Sequence, residues 1–472
     1  MNTPTIFWFR RDLRLADNPA LREAVRRSNG LVLATFIIDD ELSAPAGPTR
    51  ARYLRRTLEA LDASLDGSIV IRRGEPSRVL AALANECGAR TVVATADFAP
   101  YGRARDQRVR EDLREANIET MFLDSPYVVV PGTVRNQAGA GYLVFGAYAR
   151  GWSTEPLPAP LDAPSDVTWL RAPSLALDEL EDAAGTRRPS YFGDLPDAPA
   201  PRLMAAGEEA AFAQLALFRA HLDGYAQGRD VPSRDATSRL SPFVRFGVLH
   251  PRQVLAALSG TSPDHQKFVD EIGWREFYAD VLFHHPASAR QSFQGSMRPL
   301  RYDNDAKAQE RFRAWALGET GYPLVDAGMR QLLEEGWMHN RVRMVAASFL
   351  VKHLHLDWRW GARWFMWRLA DGDLASNQHG WQWTAGTGTD AAPFHRIFNP
   401  TLQAKRFDPD GVYVKRYVEE LRDTPAPDCL EPGGGSSLFN ARYVAPLVDA
   451  NEERLEALAR FAEARELARS GS

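Results

Sequence analysis

The residue types able to do chemistry are concentrated in the second half of the chain. All ten histidines fall at or after His221, and eight of the twelve tryptophans lie in the 69 residues from Trp315 to Trp383. Tryptophan is ordinarily a core residue. Eight so close together exceed what packing alone needs, and a second use for them is a large planar ligand or an electron path between rings. The histidines raise the question of a metal. His284 and His285 are adjacent, however, and His353 and His355 are two apart, so neither pair shares a helix face. No metal site is expected.

Glu271, Trp274, Arg275 and Tyr278 follow the i, i+3, i+4, i+7 spacing of one helix face. Trp337, Asn340, Arg341 and Met344 repeat that spacing on an expected second helix. An apolar stripe would mean core, whereas mixed aromatic, amide, carboxylate and cationic groups suit a flat polar ligand. The alternative is two partly buried helices with satisfied polar residues. Thr237, Ser238, Arg239, Leu240 and Ser241 precede Pro242 and put hydroxyls at the start of a helix. Free N–H groups there can hold a phosphate, although the same residues also make an ordinary cap. Asp371, Gly372 and Asp373 read as a turn or as paired acceptors for a ribose or a ring N–H.

These groups need a scaffold, and 472 residues are enough for two domains of ordinary size. A composition of 44% hydrophobic and 25% charged residues is that of a globular protein. Cys87 and Cys429 cannot build a disulfide framework or a four-thiolate cluster. With no secretory signal and no apolar run long enough to span a membrane, a cytoplasmic protein is expected. The net charge of -4 decides little about nucleic acid. Arginine supplies 52 of the 57 basic residues, which suits forked phosphate contacts or reflects coding bias.

Up to about residue 125, strand-length apolar runs alternate with amphipathic stretches. Residues 6–9, 31–38, 68–71, 91–96 and 118–123 read as five parallel strands of a doubly wound α/β sheet. Asn18-Pro19 and Glu75-Pro76 open helices between them. The first strand is followed by Arg10-Arg11-Asp12-Leu13-Arg14 and not by GxGxxG, which disfavours a nicotinamide dinucleotide there. Residues 131–200 are rich in Pro, Ala, Asp and Gly and read as a connector. Beyond it the pattern is helical, including one run from Pro323 to Leu354 and another from Glu452 to Arg469. The expected organisation is an α/β domain over 1–130, a linker over 131–200 and an all-α domain over 201–472.

Four segments carry a resemblance over nearly the whole chain: FWFRRDLRLADNPAL from Phe7, YAQGRDVPSRDATSRLSPF from Tyr225, WREFY from Trp274, and DGDLASNQHGWQWTAGTGTDAAPFHRIFNP from Asp371. The sequence resembles the photolyase/cryptochrome flavoproteins, most closely the class I cyclobutane pyrimidine dimer photolyases. The resemblance implies a helical domain that binds FAD in a folded conformation. It implies that Tyr225, Thr237, Ser238, Arg239, Leu240, Ser241, Asp371, Gly372 and Asp373 bind FAD, with Asn377 opposite the flavin N5. Trp381, Trp358 and Trp315 match the family's electron-transfer tryptophans, running in that order from flavin to surface. Trp274 and Trp383 match the aromatic walls of the lesion pocket, and Glu271, Asn340, Arg341 and Met344 its remaining lining. Arg229, Arg275, Tyr278, Arg341 and Gln403 are further DNA-contact candidates. A flipped dimer fits such a pocket, because a damaged base pair costs less to extrude.

Within the family, a (6-4) photolyase resembles the segment around Trp337 but places a second histidine where this chain has Asn340. A blue-light-sensing cryptochrome without repair activity is the alternative reading. It has no need of Glu271, Trp274, Asn340, Met344 and Trp383 together. The resemblance also implies UV-damaged DNA as partner, no obligate protein partner and a monomer. The stretch from Asp97 to Arg103 looks like members that bind 8-hydroxy-5-deazaflavin as an antenna, with Phe36, Arg52, Asp97 and Arg103 expected to line its cleft.

Overall fold

The computed structural model describes residues 3–258, 260–390, 396–434 and 443–470; residues 391–395 of the long C-terminal motif lie outside the described residues. The chain forms two compact units. One comprises Met1–Arg188, Met204–Asp223 and Ser238–Pro286, and the other Pro189–Leu203, Gly224–Thr237 and Ala287–Ser472.

In the first unit, β1 (Thr5–Phe9), β2 (Leu31–Ile38), β3 (Val70–Arg73), β4 (Thr91–Thr95) and β5 (Glu119–Leu123) form a parallel sheet in the order β3-β2-β1-β4-β5. The five strands stand within two residues of the positions their apolar runs predict. A sixth, β6 (Thr168–Trp169), pairs with the start of β2. Two residues inside a linker-like composition gave no periodicity from which to expect it. The connecting helices begin where the local chemistry dictates. In α1 (Pro19–Ser28), Asn18 accepts from Leu21 N at 3.0 Å and proline takes the first turn. Ile6, Trp8, Leu33, Ile37, Val70, Leu80, Val92 and Val109 belong to one buried cluster.

The boundaries drawn from composition at 130 and 200 differ from the packing. The reason lies in α2 (Pro263–His284), a 22-residue helix capped by Ser262. Its Glu276 carboxylate accepts from Val128 N and Val129 N at 3.1 Å each, and Asp280 accepts from Gly132 N at 2.6 Å. These two buried carboxylates tie the start of the connector to the helix, so α2 belongs with the sheet.

The second unit is helical. It includes α3 (Ala306–Leu317), α4 (Pro323–Glu335), α5 (Asn340–Lys352), α6 (Trp358–Arg368), α7 (Leu374–Ala385) and α8 (Ala450–Ser470). Phe312, Trp315, Leu332, Phe349, Trp358, Trp364, Trp367 and Trp381 share one core. The expected single run from Pro323 to Leu354 is two helices. Gly336 ends α4 with φ of 63°, and His339 caps α5 by accepting from Arg341 N at 3.2 Å. Trp337 therefore stands in the turn, and only Asn340, Arg341 and Met344 share the helix.

Burial pushes the Glu276 carboxyl up to about 7 from 4.5, against the opposing effects of Arg275 and the two backbone donors. The unfolded chain ionises first as pH rises, so this group's contribution to stability is present below about 4.5 and lost by about 7. At most about 3 kcal/mol is involved. Glu276→Gln should flatten the dependence of urea-unfolding stability between pH 5 and 8; an unchanged slope would remove Glu276 as its source.

Candidate functional site

The helical unit builds its candidate site around the N-terminus of α7. Asp373 caps that helix, accepting from Ser376 N at 3.1 Å. Two residues earlier, buried Asp371 accepts a 2.8 Å ion pair from Arg343 Nη2 on α5. Asn377 and Trp381 then follow one turn apart on the same face of α7. The Asn377 amide donates both its hydrogens, to Ala362 O at 3.0 Å and to Gln378 Oε1 at 2.9 Å. Its carbonyl oxygen is thereby turned into a fixed acceptor.

Trp381 owes its position to Gly361 on α6. A Cβ at that glycine would lie 2.1 Å from the indole, so only a bare backbone admits the ring. The next indole is Trp315, edge-on at a centroid distance of 6.0 Å, with Phe365 5.0 Å from Trp381 and stacked on Trp315 at 5.9 Å. This corrects the expected order. Trp315 is completely buried, with its Nε1 donating to Ala346 O at 3.0 Å, and it cannot be a surface terminus. Trp358 is also buried and donates to Ser292 Oγ at 3.4 Å.

At the same end of α5, Asp230 pairs with Arg341 at 2.9 Å and lies 3.9 Å from Arg229, whose guanidinium stands 5.7 Å from the Tyr225 ring. Arg341 also covers Phe407 at 4.5 Å. Asn340 is exposed, while Met344, Trp383 and Gln403 are half-buried. Thr237 Oγ1 and Trp381 Nε1 are among the buried polar atoms of this unit that have no hydrogen-bond partner in the protein. Orphans of this kind are normally satisfied by water or a ligand. Together with the Arg343–Asp371 pair, they fit a ring-bearing, polar cofactor such as FAD.

The sheet unit carries the rest. Ser238 accepts from Leu240 N at 3.3 Å, Arg239 adopts φ of 51°, and buried Leu240 precedes the short helix Ser241–Arg245, whose first residue is exposed. The hydroxyls thus lie mostly in a loop leading to a helix. On α2, Trp274 stacks on Phe145 at 3.9 Å and lies 5.4 Å from Tyr278, while Glu271 pairs with Lys267 at 3.9 Å. Arg275 turns inward: it donates to Pro126 O at 3.1 Å and covers Tyr127 at 4.4 Å. Only 13% of its side chain is exposed.

The crevice between β1 and β4, where strand order reverses, is lined with charge. Arg10 pairs with Asp106, Arg105 with Asp106 at 3.0 Å and Asp97 at 3.3 Å, and Asp12 accepts from Thr95 Oγ1 at 2.6 Å. Asp97 belongs to this network, and Gly102 packs directly on it. Arg103 instead covers Phe283 at 4.2 Å and donates to its carbonyl at 3.2 Å. Asp97 and Arg103 therefore serve different partners. Sequence reasoning missed Arg343 and Gly361. The basic residue shares α5 with three candidates, which was a usable signal, whereas a helical glycine announces nothing about the ring across from it.

The helical unit thus sets a line of buried aromatic rings beside a polar frame, an arrangement suited to a flavin. The profile described as DNA photolyase matches residues 5–165, and the one described as the FAD binding domain of DNA photolyase matches residues 268–463. A relative from Agrobacterium fabrum named deoxyribodipyrimidine photo-lyase is 38% identical, covering 97% of this chain and 98% of its own. The solved class III photolyase from Agrobacterium tumefaciens superposes with a TM-score of 0.88 at 37% identity, covering 99% of this chain and 98% of that one. An archaeal photolyase from Sulfolobus tokodaii, solved with two FAD molecules, gives 0.80 at 26% identity, covering 98% and 100%. The chain belongs to the DNA photolyase family.

Alanine favours helix over glycine by about 1 kcal/mol, yet Gly361→Ala should destabilise this protein by about 1 to 3 kcal/mol through overpacking. Trp381 should move with it. Thermal melting and flavin-quenched tryptophan fluorescence check this; an unchanged melt with unchanged quenching would refute the contact.

Proposed function

We propose that the protein reverses cyclobutane pyrimidine dimers in UV-damaged DNA under blue light, with bound FAD as its cofactor. The observation that carries this reading is the placement of Asn377 and Trp381 one turn apart on α7, directly after the Arg343–Asp371 pair and the Asp373 cap. Bound FAD supplies the light absorption and the single electron that opens the dimer. Tyr225, Thr237 to Ser241 and Asp371 to Asp373 are assigned to holding it, with Arg343 fixing Asp371. Because both amide hydrogens of Asn377 are engaged, its carbonyl is left to accept from a ring N–H. At N5 the oxidised ring offers none, so Asn377 favours the one- and two-electron-reduced rings over the oxidised one.

Glu271, Trp274, Tyr278, Asn340, Arg341, Met344, Trp383 and Gln403 are assigned to the extruded lesion and the backbone around it. Aromatic faces stack on the dimer, and polar groups meet its carbonyls and ring N–H groups. Among the described residues no helix is long and apolar enough to cross a membrane. We read the protein as a cytoplasmic monomer acting on DNA without an obligate protein partner.

Trp274→Ala should weaken binding of UV-irradiated oligonucleotide by about 1 to 3 kcal/mol, the worth of a base stack, with FAD content retained. The test is a titration of damaged against undamaged DNA, followed by dimer counting in light and dark. Equal affinity of wild type and variant, or dimer loss in darkness at the illuminated rate, would sink the assignment.

An antenna in the sheet unit is part of the same reading, and the family resemblance favours 8-hydroxy-5-deazaflavin. Phe36 and Arg52, whose buried Nε has no hydrogen-bond partner in the protein, are the residues left to line it. Adding deazaflavin to protein made without it should introduce its band into the excitation profile of bound FAD. A purely additive spectrum at saturation would exclude this antenna.

A further inference from the structure

We infer that Asp230 sets the discrimination between damaged and undamaged DNA: it cancels charge at Arg341 and Arg229 that any strand would feel, and it holds Arg341 in one orientation that serves only a seated lesion. This rests on the repair reading above, in which Arg341 meets the lesion and its flanking backbone and Arg229 is a further DNA-contact candidate. The carboxylate between them has no part in that reading. All three side chains belong to one compact unit, Arg229 and Asp230 just before the turn Pro232–Arg234 and Arg341 in the first turn of α5.

Asp230 Oδ2 lies 2.9 Å from Arg341 Nη2, and its Oδ1 lies 3.9 Å from Arg229 Nε, so each oxygen faces a different cation. Both cations are held from a second side. The Arg341 guanidinium lies over Phe407 at 4.5 Å, on the helix Pro400–Phe407 that also carries Gln403, and Arg229 stands 5.7 Å from the Tyr225 ring. With Nη2 on the carboxylate and the plane on a ring, the Arg341 fork has one set direction. Its Nε is buried and has no hydrogen-bond partner in the protein, a donor of the kind normally satisfied by water or a ligand. Side-chain exposure rises from 14% at Arg229 and 19% at Arg341 to 35% at Asp230. The anion is the most exposed of the three.

Two guanidiniums and one carboxylate leave the cluster a single net positive charge. Undamaged DNA binds through phosphates neutralised and counterions released, so its affinity follows net charge and little else. A guanidinium already paired with a carboxylate adds little to that sum. A lesion seated in the site is held by stacking and hydrogen bonds of its own, and it meets the remaining Arg341 donors without breaking the pair. Asp230 thus weakens the competitor and positions an arginine for the substrate, and the difference between those two effects is selectivity.

The test uses FAD-loaded full-length protein and labelled duplex oligonucleotides with and without one cyclobutane dimer, titrated across a range of salt. Asp230→Asn keeps the size of the side chain and should tighten undamaged DNA about three- to tenfold at low salt, steepening log affinity against log salt by about 0.9, the value of one added phosphate contact. Dimer DNA should bind no tighter, so selectivity falls by the same factor. Asp230→Glu restores the charge and should return the salt slope to that of wild type, which a merely structural side chain would not do. Arg341→Gln probes the pair from the other side, whether or not the Asp230 variants fold: undamaged DNA should lose less than about twofold, because that charge is already cancelled, while dimer DNA loses about tenfold or more, the scale of a hydrogen bond from a charged group. An unchanged salt slope in Asp230→Asn, or equal losses for both DNAs in Arg341→Gln, would overturn the role of Asp230 with the repair reading still standing. Wild-type protein that shows no preference for dimer DNA at any salt would overturn the repair reading, and this inference with it.

Discussion

The contact between Gly361 on α6 and the indole of Trp381 on α7 is the constraint on which the site depends. It lets two helices approach until a ring lies against bare backbone, and it thereby fixes the rotation of α7 about its own axis. That rotation decides which way Asn377 faces, because the two residues are one turn apart. The same approach brings the Asn377 amide to Ala362 O, the carbonyl next along α6. A single methyl group at residue 361 would disturb all of these at once.

Around this contact the unit is organised as an outer charged frame and an inner aromatic one. Arg343–Asp371 and Arg341–Asp230 hold α5 to the segments that flank it. Inside, Trp315, Phe365 and Trp381 pack without polar competition, which keeps the rings close and poorly hydrated. A low dielectric there strengthens every charge interaction made by the polar groups beside it. The sheet unit follows a different logic. Its strand-end crevice holds a buried network of Arg10, Asp12, Asp97, Arg105 and Asp106, so the charge-lined position that many doubly wound sheets offer to a ligand is here largely committed to internal pairing.

Much of this was legible in the sequence, for physical reasons that differ by element. Buried parallel strands are continuous apolar runs, and β2 was readable to the residue. The cap at Asn18-Pro19 was readable because side-chain capping is local. The break at Gly336 could have been read from glycine's affinity for a left-handed helix end, yet the apolar periodicity runs straight across it. What the sequence could not convey is direction. Nothing in the spacing of Glu271, Trp274, Arg275 and Tyr278 says that Arg275 bends back to Pro126. Nothing in three matched tryptophans says that Trp315, and not a surface ring, stands against Trp381. Those facts are set by partners far away in the chain, and tertiary packing alone decides them.

Light absorbed by a bound flavin is proposed to drive dimer reversal. The most direct measurement is the action spectrum of dimer loss, taken with chemically reduced, FAD-loaded protein and UV-irradiated DNA. Repair per incident photon should follow the absorption of the protein-bound reduced flavin across the near-UV and blue. Dimer loss that is independent of wavelength, or that persists undiminished in protein stripped of FAD, would contradict it.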